Sequence, residues 1–437
     1  VTIKASSAEQ IDLSGLAMTT SGEVMTLKAT GDKALTVSAL GTDVTTVDAS
    51  GMTEGGSFIQ TGRTSTAAAA YTGSVGNDTF IMTKSADAIA AGGQAATGGD
   101  TLDVNYGAVI GGINIDLSST GDQITSVDGT ANAAVQSGFE NLDLTGHTGF
   151  GAVVTGSDGV NRIVGTASAD NISAGKGNDT LVAVGDDANS DVMDGGAGTD
   201  ILEIASGTGT YATDANLINV ETVEAKGGTT VVLTGQTEAF TITHPNETGV
   251  TITGGAGNDT IALGTDFADG AIDTVHFGAT AAANGVDAIT NVKNGQDGSF
   301  GDVLDFSDFL GATAKGEITG SGNEVTVEAS EGSTMTSITA GSAETGTNLA
   351  GMVFFAHETT KSLTEMATAI VTSAANTKLY LASGGKAVML HGDTEESETG
   401  AFDVYYITGT GSDAETITKV GTVATADNAH MNFDNFH

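Results

Sequence analysis

The chain has 437 residues, with 55 acidic side chains against 14 basic ones and a formal net charge of −41. This balance excludes nucleic acid and anionic membrane as natural partners, and it favours divalent cations. The chain contains no Cys that could form disulfides, and no stretch approaches the roughly 18 apolar residues of a transmembrane helix.

Residues 1–70 contain short segments in which apolar and polar residues alternate. These segments, among them 25–28, 34–38 and 44–48, recur about every ten residues and are separated by Gly, Ser and Asp. The rhythm is typical of an all-β sandwich, barrel or solenoid, and we predict solenoid rungs here. Because no signal peptide precedes the strand-like sequence at Val1, we expect the chain to be the C-terminal portion of a longer protein.

Strand-like segments continue through residues 71–285. Residues 138–144 are echoed by residues 218–224, and both copies carry an apolar-x-apolar pattern after a Glu and precede a Gly-rich turn. Such self-similarity indicates rungs that bury a face only against their neighbours.

The most regular feature of this region is the unit Gly-Gly-x-Gly-x-Asp-x-apolar-x. Asp170 and Asp179 are nine residues apart, as are Asp191 and Asp200. Glycines permit tight turns and let carbonyl oxygens point at one spot, and each Asp adds a carboxylate beside them. The unit therefore predicts an oxygen cage for a hard cation, with stacked turns sharing ions.

The apolar residue two positions after each Asp starts a short strand and is predicted to point inward. These residues are Ile172, Leu181, Met193 and Leu202. A further full copy spans 253–261, and weaker copies span 76–80 and 98–102. In the weaker copies the Gly-Asn-Asp residues could be ordinary turn residues, because Asp78 and Asp100 have no partner at the nine-residue step.

The unit resembles the repeats-in-toxin (RTX) nonapeptide, a β-helix repeat that binds calcium. Carboxylates packed at successive turns would repel one another without a cation, so we expect calcium binding and folding to be coupled.

The character of the sequence changes near residue 289. Residues 289–307 resemble the segment that follows the calcium roll in type I secreted proteases and lipases, which implies export through an exporter that reads an uncleaved C-terminal region. A capping box at 362–365 predicts a helix that continues to Ile370, and residues 379–382 and 387–391 predict a hairpin around Gly384 and Gly385. We predict a small mixed α/β cap carrying the secretion signal over 286–437.

No catalytic motif is found in the sequence. It contains no His-Glu-x-x-His pair, no Gly-x-Ser-x-Gly elbow and no Gly-Lys-Ser/Thr phosphate loop. We therefore predict that the chain is not an enzyme.

Taken together, residues 1–420 resemble bacterial surface-layer (S-layer) proteins of the RTX type. The shared features are Ala/Thr/Gly/Val-rich rungs, apolar-Glu-x-apolar strand motifs, scattered Gly-Gly-x-Gly-x-Asp turns, few Lys and no Cys. The resemblance implies an all-β fold, a parallel β-solenoid or β-roll, that assembles with copies of itself into a calcium-dependent lattice on the bacterial cell surface. It also implies export by type I secretion machinery and anchoring to lipopolysaccharide through an N-terminal region outside this chain.

The resemblance also implies a set of calcium ligands. The carboxylates are Asp170, Asp179, Asp191, Asp194, Asp200 and Asp259, and the glycine and asparagine positions are Gly175, Gly177, Asn178, Gly195, Gly196, Gly198, Gly255, Gly257 and Asn258. Further candidates are Asp78, Asp100, Asp297, Asp302 and Asp305.

Two other functional classes share the solenoid and the calcium. An adhesin or matrix-filament protein would present a ligand-binding loop or assemble in one dimension. A secreted hydrolase would carry its catalytic domain upstream of Val1.

Overall fold

The protein is described by a computed structural model over 24 ranges of residues. These are 2–5, 11–14, 24–33, 35–38, 43–53, 58–61, 68–83, 86–93, 98–108, 111–185, 191–245, 248–265, 271–293, 302–311, 316–319, 324–329, 336–339, 347–348, 353–357, 370–371, 379–381, 383–392, 401–410 and 416–425.

The fold is nearly all β, a parallel β-solenoid of about 10 turns with few helices, as the sequence predicts. The first strands are β1 (Thr2–Ala5), β2 (Ile11–Ser14), β3 (Met25–Gly31), β4 (Leu35–Ser38), β5 (Val44–Met52), β6 (Phe58–Thr61), β7 (Ala70–Thr72), β8 (Thr79–Met82), β9 (Ala88–Ala90), β10 (Thr101–Val104), β11 (Gly107–Ala108), β12 (Ile113–Asp116), β13 (Ile124–Val127), β14 (Thr130–Ala131) and β15 (Gln136–Ser137).

The following strands are β16 (Asn141–Asp143), β17 (His147–Thr148), β18 (Ala152–Thr155), β19 (Arg162–Val164), β20 (Asn171–Ser173), β21 (Thr180–Ala183), β22 (Val192–Asp194), β23 (Ile201–Ile204), β24 (Thr208–Thr210), β25 (Leu217–Ile218), β26 (Thr222–Ala225), β27 (Thr230–Val232), β28 (Thr241–Thr243), β29 (Thr251–Thr253), β30 (Thr260–Ala262), β31 (Thr274–His276), β32 (Asp287–Val292) and β33 (Val303–Asp305).

The last strands are β34 (Gly316–Thr319), β35 (Glu324–Ala329), β36 (Thr336–Thr339), β37 (Thr347–Asn348), β38 (Val353–His357), β39 (Ile370–Val371), β40 (Leu379–Tyr380), β41 (Lys386–Gly392), β42 (Ala401–Thr408) and β43 (Thr416–Thr425). The helices are a 3₁₀ turn (Asp214–Asn216), α1 (Ala281–Asn284) and α2 (Ser307–Leu310).

The chain divides into two compact units. Unit 1 comprises Val1–Gly209 and Ala215–Glu221, and unit 2 comprises Thr210–Asp214 and Thr222–His437. The boundaries predicted near residues 70 and 285 are not tested by this division and stay predictions.

Unit 1 is built from parallel ladders of short strands. One ladder has the order β1-β3-β5-β7-β9-β15, a second runs β2-β4-β6-β8-β10-β16-β19-β21-β23, and a third runs β12-β18-β20-β22-β25. Antiparallel pairing in this unit occurs where β13 folds back on β12 and β14 on β13. Successive turns of the chain thus stack in register.

Apolar side chains at the register positions form the core of unit 1. Ile172 pairs with Met193 and Leu181 pairs with Leu202, and all four are fully buried. The inward direction predicted for these four residues is confirmed. Each nonapeptide is therefore half of a rung, since β20 and β21 lie in different ladders.

Unit 2 repeats this construction and ends in antiparallel strands. Its parallel ladders are β26-β28-β30-β32-β43 and β27-β29-β31-β33, and β41, β42 and β43 pair antiparallel. The predicted hairpin is wrong, because β40 pairs in parallel with β37 and β39, whereas β41 pairs with β38 and β42.

One other prediction for residues 286–437 concerns a helix. Ile370, the last position of the predicted helical pattern, lies in a strand, and residues 358–369 lie outside the described residues. Helices α1 and α2, of four residues each, were not predicted.

Candidate metal sites in the turns

In one ladder of unit 1, the residue before each of the six strands from β8 to β23 contributes a carboxylate or amide to a stacked column. The Asp78 N–H donates to Asp100 Oδ1 at 2.7 Å, and the Asp100 N–H donates to Glu140 Oε2 at 2.8 Å. We call the column that precedes β8, β10, β16, β19, β21 and β23 the first acid column.

The first acid column continues through the consensus turns. The Asn161 N–H donates to Asp179 Oδ1, the Asp179 N–H to Asp200 Oδ1 and the Asp200 N–H to Glu221 Oε2, each at 2.7 Å. Each carboxylate thus accepts the N–H of the residue one rung before it.

A second acid column precedes the strands of another ladder in unit 1. Asp170 Oδ1 accepts the Ala152 N–H at 2.7 Å, and Asp191 Oδ1 accepts the Asp170 N–H at 2.9 Å. The structure therefore places Asp170 and Asp191 in a different column from Asp179 and Asp200.

The same arrangement occurs in unit 2. Asp259 Oδ1 accepts the Phe240 N–H and Asp287 Oδ1 accepts the Asp259 N–H, both at 2.9 Å. In another column of this unit, Asp302 Oδ1 accepts the Asp273 N–H at 3.0 Å.

The stacking step differs from the step that the sequence suggested. Residues nine apart lie in different columns, whereas residues 21 apart are stacked in the two consensus copies. The weaker copies are stacked as well, because Asp78 and Asp100 meet at a step of 22 residues. Their lack of a partner nine residues away therefore does not make them ordinary turns.

Glycine is required where a turn passes its own aspartate. A Cβ added to Gly165 would lie 2.4 Å from Asp170 Oδ2, and one added to Gly195 would lie 2.6 Å from Asp200 Oδ2. In the first of these turns the next residue, Thr166, also donates its N–H to Asp170 Oδ2 at 2.7 Å. The turn thus folds around the carboxylate.

The glycine turns also stack on one another through main-chain oxygens. Gly175 O accepts the Ala197 N–H at 2.9 Å, and the Gly177 N–H donates to Ala197 O at 2.9 Å. A Cβ on Gly196 would lie 2.1 Å from Gly175 O, and one on Gly198 would lie 1.5 Å from Gly177 O. Gly175 and Gly177 are therefore brought against Gly196 and Gly198 of the next rung, with the carbonyls of Gly175 and Gly177 at the contact.

The glycines of the copy at 254–259 have the same surroundings in unit 2. A Cβ on Gly257 would lie 1.8 Å from Glu238 O, and one on Gly255 would lie 2.7 Å from Gln236 O. The Gly255 N–H donates to Asp259 Oδ2 at 3.1 Å.

Burial of these carboxylates is electrostatically unfavourable in the absence of a cation. Asp179 and Asp200 are completely buried, and the Oδ2 atom of each has no hydrogen-bond partner among the described residues. Burial raises the pKa of Asp179 to about 6 and also raises the pKa of Asp200, where the charges of Glu221 and Asp194 add to the effect. Paired, buried oxygen atoms of this kind fit a hard divalent cation.

The same effect is seen elsewhere in the first acid column and in the columns of unit 2. Burial raises the pKa of Asp100 and of Asp287 to about 8 and that of Asp302 to about 7. It raises the pKa of Asp259 as well.

Within the described ranges, no three acidic or histidine side chains converge closely enough to hold a metal by themselves. The donor set that fits the turns is therefore one or two carboxylates with main-chain carbonyls, which are ligands that Ca²⁺ accepts.

Several predicted ligands have other contacts. The side-chain oxygens of Asn178 and Asn258 accept the N–H groups of Thr199 at 3.1 Å and Val286 at 2.8 Å, on the next rung. Asp194 lies in β22 and accepts a hydrogen bond from Asn219 Nδ2 at 2.9 Å. Their roles as ligands stay predictions.

The candidates near residue 300 are paired with basic groups. Asp302 Oδ1 lies 3.9 Å from Lys293 Nζ, and Asp305 Oδ2 lies 2.8 Å from His276 Nδ1. Asp297 lies outside the described residues.

Sequence reasoning missed four acidic members of the columns in the described part of the chain: Glu140, Glu221, Asp273 and Asp287. They do not stand in a Gly-Gly-x-Gly-x-Asp unit. The signal that could have found them is an acidic residue directly before a strand. For Glu140, Glu221 and Asp287 this residue also stands one rung after an aspartate that the sequence singled out.

A sequence model of the RTX calcium-binding nonapeptide repeat matches the chain in four copies, over residues 155–187, 186–202 and 250–267. The chain carries RTX calcium-binding repeats. It binds Ca²⁺ at several sites, as predicted. The matched residues include the stacked pairs Asp170 with Asp191 and Asp179 with Asp200, and also Asp259.

Comparison with curated proteins gives no significant match. Among the described residues, no helix has the length and apolar character needed to cross a membrane.

Proposed function

We propose that this chain is a structural part of a secreted bacterial cell-surface protein that folds on calcium and assembles with copies of itself into an S-layer lattice. The observation that carries the proposal is the stacking of buried carboxylates in columns along a parallel solenoid. The carboxylates within such a column repel one another until a cation neutralises them. The stability of the fold therefore depends on the calcium concentration around it.

This dependence suits a protein that works outside the cell. Extracellular calcium modules bind with dissociation constants of about 10⁻⁴ to 10⁻³ M. A chain tuned to that range would stay open in the low calcium of the cytoplasm and close after export. We therefore propose export by type I secretion, with residues 286–437 carrying the signal, and a location in the S-layer.

Assembly into a lattice is supported by the charge. At a net charge of −41, copies of the chain repel one another unless cations reduce that charge. Calcium would thus allow both the closing of the rungs and contact between copies. Attachment to lipopolysaccharide is proposed for a region outside this chain, and no catalytic role is proposed for the chain itself.

Electron microscopy of the purified chain with and without millimolar calcium tests the proposal. Magnesium at the same concentration is the control for ionic strength, and circular dichroism of the same samples reports folding. Ordered two-dimensional sheets that form with calcium alone are the expected result.

Other outcomes would contradict the lattice. Filaments would favour an adhesin or matrix protein, and a β-rich monomer would favour the secretion portion of a hydrolase. Export is tested separately, by deleting residues 286–437 from the full-length protein and measuring its release from the cell.

A further inference from the structure

Two glutamates outside the consensus turns each end a run of stacked carboxylates. Glu140 Oε2 accepts the Asp100 N–H at 2.8 Å, and Glu221 Oε2 accepts the Asp200 N–H at 2.7 Å. Both glutamates belong to the repeated apolar-Glu-x-apolar motif. We propose that Glu140 and Glu221 are calcium ligands, each completing a site with the aspartate one rung before it.

Beside Gly195, on the rung before Glu221, two oxygen atoms lie close to the same space. A Cβ built on Gly195 would lie 2.6 Å from Asp200 Oδ2 and 2.2 Å from Asn219 O. Asp200 is completely buried, and its Oδ2 has no hydrogen-bond partner within the described part of the chain. A buried carboxylate oxygen without a hydrogen-bond donor is stabilised when a cation lies beside it, and a nearby carbonyl oxygen can be a second ligand.

The backbone of this rung is held in an unusual conformation. Asn219 has a φ of 52°, which non-glycine residues adopt uncommonly, and its Nδ2 donates to Asp194 Oδ1 at 2.9 Å. The charges of Glu221 and Asp194 both act on Asp200. The buried Asp200 carboxylate therefore feels two further negative charges, on a rung that lacks a Gly-Gly-x-Gly-x-Asp turn of its own.

The same arrangement recurs at Glu140. Asp100 is completely buried, and its Oδ2 also has no hydrogen-bond partner among the residues described. A Cβ on Gly99 would lie 2.8 Å from Glu140 Cβ and 3.1 Å from Glu140 Oε2, so glycine leaves room for the glutamate. Two separate positions in unit 1 thus combine an unpartnered aspartate oxygen with a glutamate.

A purely structural role as a hydrogen-bond acceptor does not require a charge. Asn161, in the same acid column, accepts the Ser157 N–H at 2.7 Å and donates to Glu140 O at 2.6 Å, so a neutral amide fits the column. A carboxylate beside a buried aspartate costs free energy that an amide would avoid. Calcium between the two carboxylates removes that repulsion.

The test is the Glu221→Gln variant, in which a side-chain oxygen can still accept the Asp200 N–H while the charge is lost. Calcium titration by calorimetry should show one site lost or weakened about tenfold or more, because ligand charge sets calcium affinity. Glu203→Gln is the matched control. Glu203 lies in β23, the strand that follows Asp200, and it forms an ion pair with Arg162 at 3.1 Å. This variant should bind calcium as the unchanged protein does.

A double variant, Asp200→Asn with Glu221→Gln, separates a shared ion from two independent effects. If both residues hold one ion, the double variant loses no more calcium than Asp200→Asn alone. Unchanged number and affinity of sites in Glu221→Gln would overturn the proposal. If that variant does not fold, the same measurement on Glu140→Gln decides, and neither measurement depends on lattice formation.

Discussion

Replacement of Asp179 by Asn and by Ala separates the two roles of this buried carboxylate. Asp179 Oδ1 accepts the Asn161 N–H at 2.7 Å, whereas Oδ2 has no hydrogen-bond partner among the described residues. Asp179→Asn can keep the hydrogen bond and removes the charge. Asp179→Ala removes both.

The magnitudes follow from these two contacts. Leaving the buried Asn161 N–H without its acceptor costs about 1–3 kcal/mol, a loss that Asp179→Ala has at any calcium concentration. Losing one calcium site costs about 2.7 kcal/mol when free calcium is 100 times the dissociation constant, and both variants have this loss. Without calcium, Asp179→Asn should be at least as stable as the unchanged protein, because a buried charge is gone.

The assay is thermal or urea unfolding, followed by circular dichroism at several calcium concentrations. Asp158→Asn is the matched control, because the Asp158 side chain is 80% exposed and pairs with Lys176 at the surface. The control should keep the full calcium-dependent increase in stability. Equal stabilisation by calcium in Asp179→Asn and the unchanged protein would refute the assignment of Asp179 as a ligand.

Three further predictions concern the columns and the core. In metal-depleted buffer, the free energy of unfolding should fall as pH rises from about 4 to about 8. Buried groups such as Asp100 and Asp287, whose pKa values are raised to about 8, bind more protons in the folded state than in the unfolded state. Melting curves across this pH range check the prediction, and a melting temperature that rises with pH would contradict the reasoning. Gly195→Ala should weaken calcium binding and lower the free energy of unfolding by about 1–3 kcal/mol, because the added Cβ would meet two oxygen atoms. Gly121→Ala is the control: its Cβ would lie 3.8 Å from the nearest atom, so calcium binding by calorimetry and unfolding should change little. Phe80→Ala should lower the free energy of unfolding by about 3–5 kcal/mol with or without calcium, since this fully buried ring packs against two other aromatic rings; an effect seen only with calcium would be inconsistent with a core role.

The pH prediction also bears on calcium itself. Protons and calcium compete for the same carboxylates, so calcium affinity should weaken as pH falls through the raised pKa values. Acid therefore stabilises the metal-free solenoid and opposes calcium binding at the same time.

Much of the local chemistry was readable from the sequence. The period of nine fixed the turn, the aspartate and the buried apolar residue of each nonapeptide, and Ile172 and Leu181 are buried as predicted. These features depend on neighbours within a few residues, since turn geometry and strand alternation are local properties.

The columns were decided by tertiary structure. Which aspartates stack depends on the length of a whole rung, and the insertion between residues 183 and 191 changes that length without changing the consensus. The sequence therefore paired Asp170 with Asp179, whereas the fold pairs Asp170 with Asp191.

The antiparallel strands of unit 2 show the same limit. The turn at Gly384 and Gly385 indicated a hairpin, but the antiparallel partner of β41 is β42, which begins nine positions after β41 ends. The sequence by itself determined the repeat, its cation chemistry and the all-β fold, because each follows from residue type and short spacing. Only the tertiary structure decided the rung length, the strand partners and the glutamates at the ends of the acid columns, because these depend on contacts between residues some 20 to 40 positions apart.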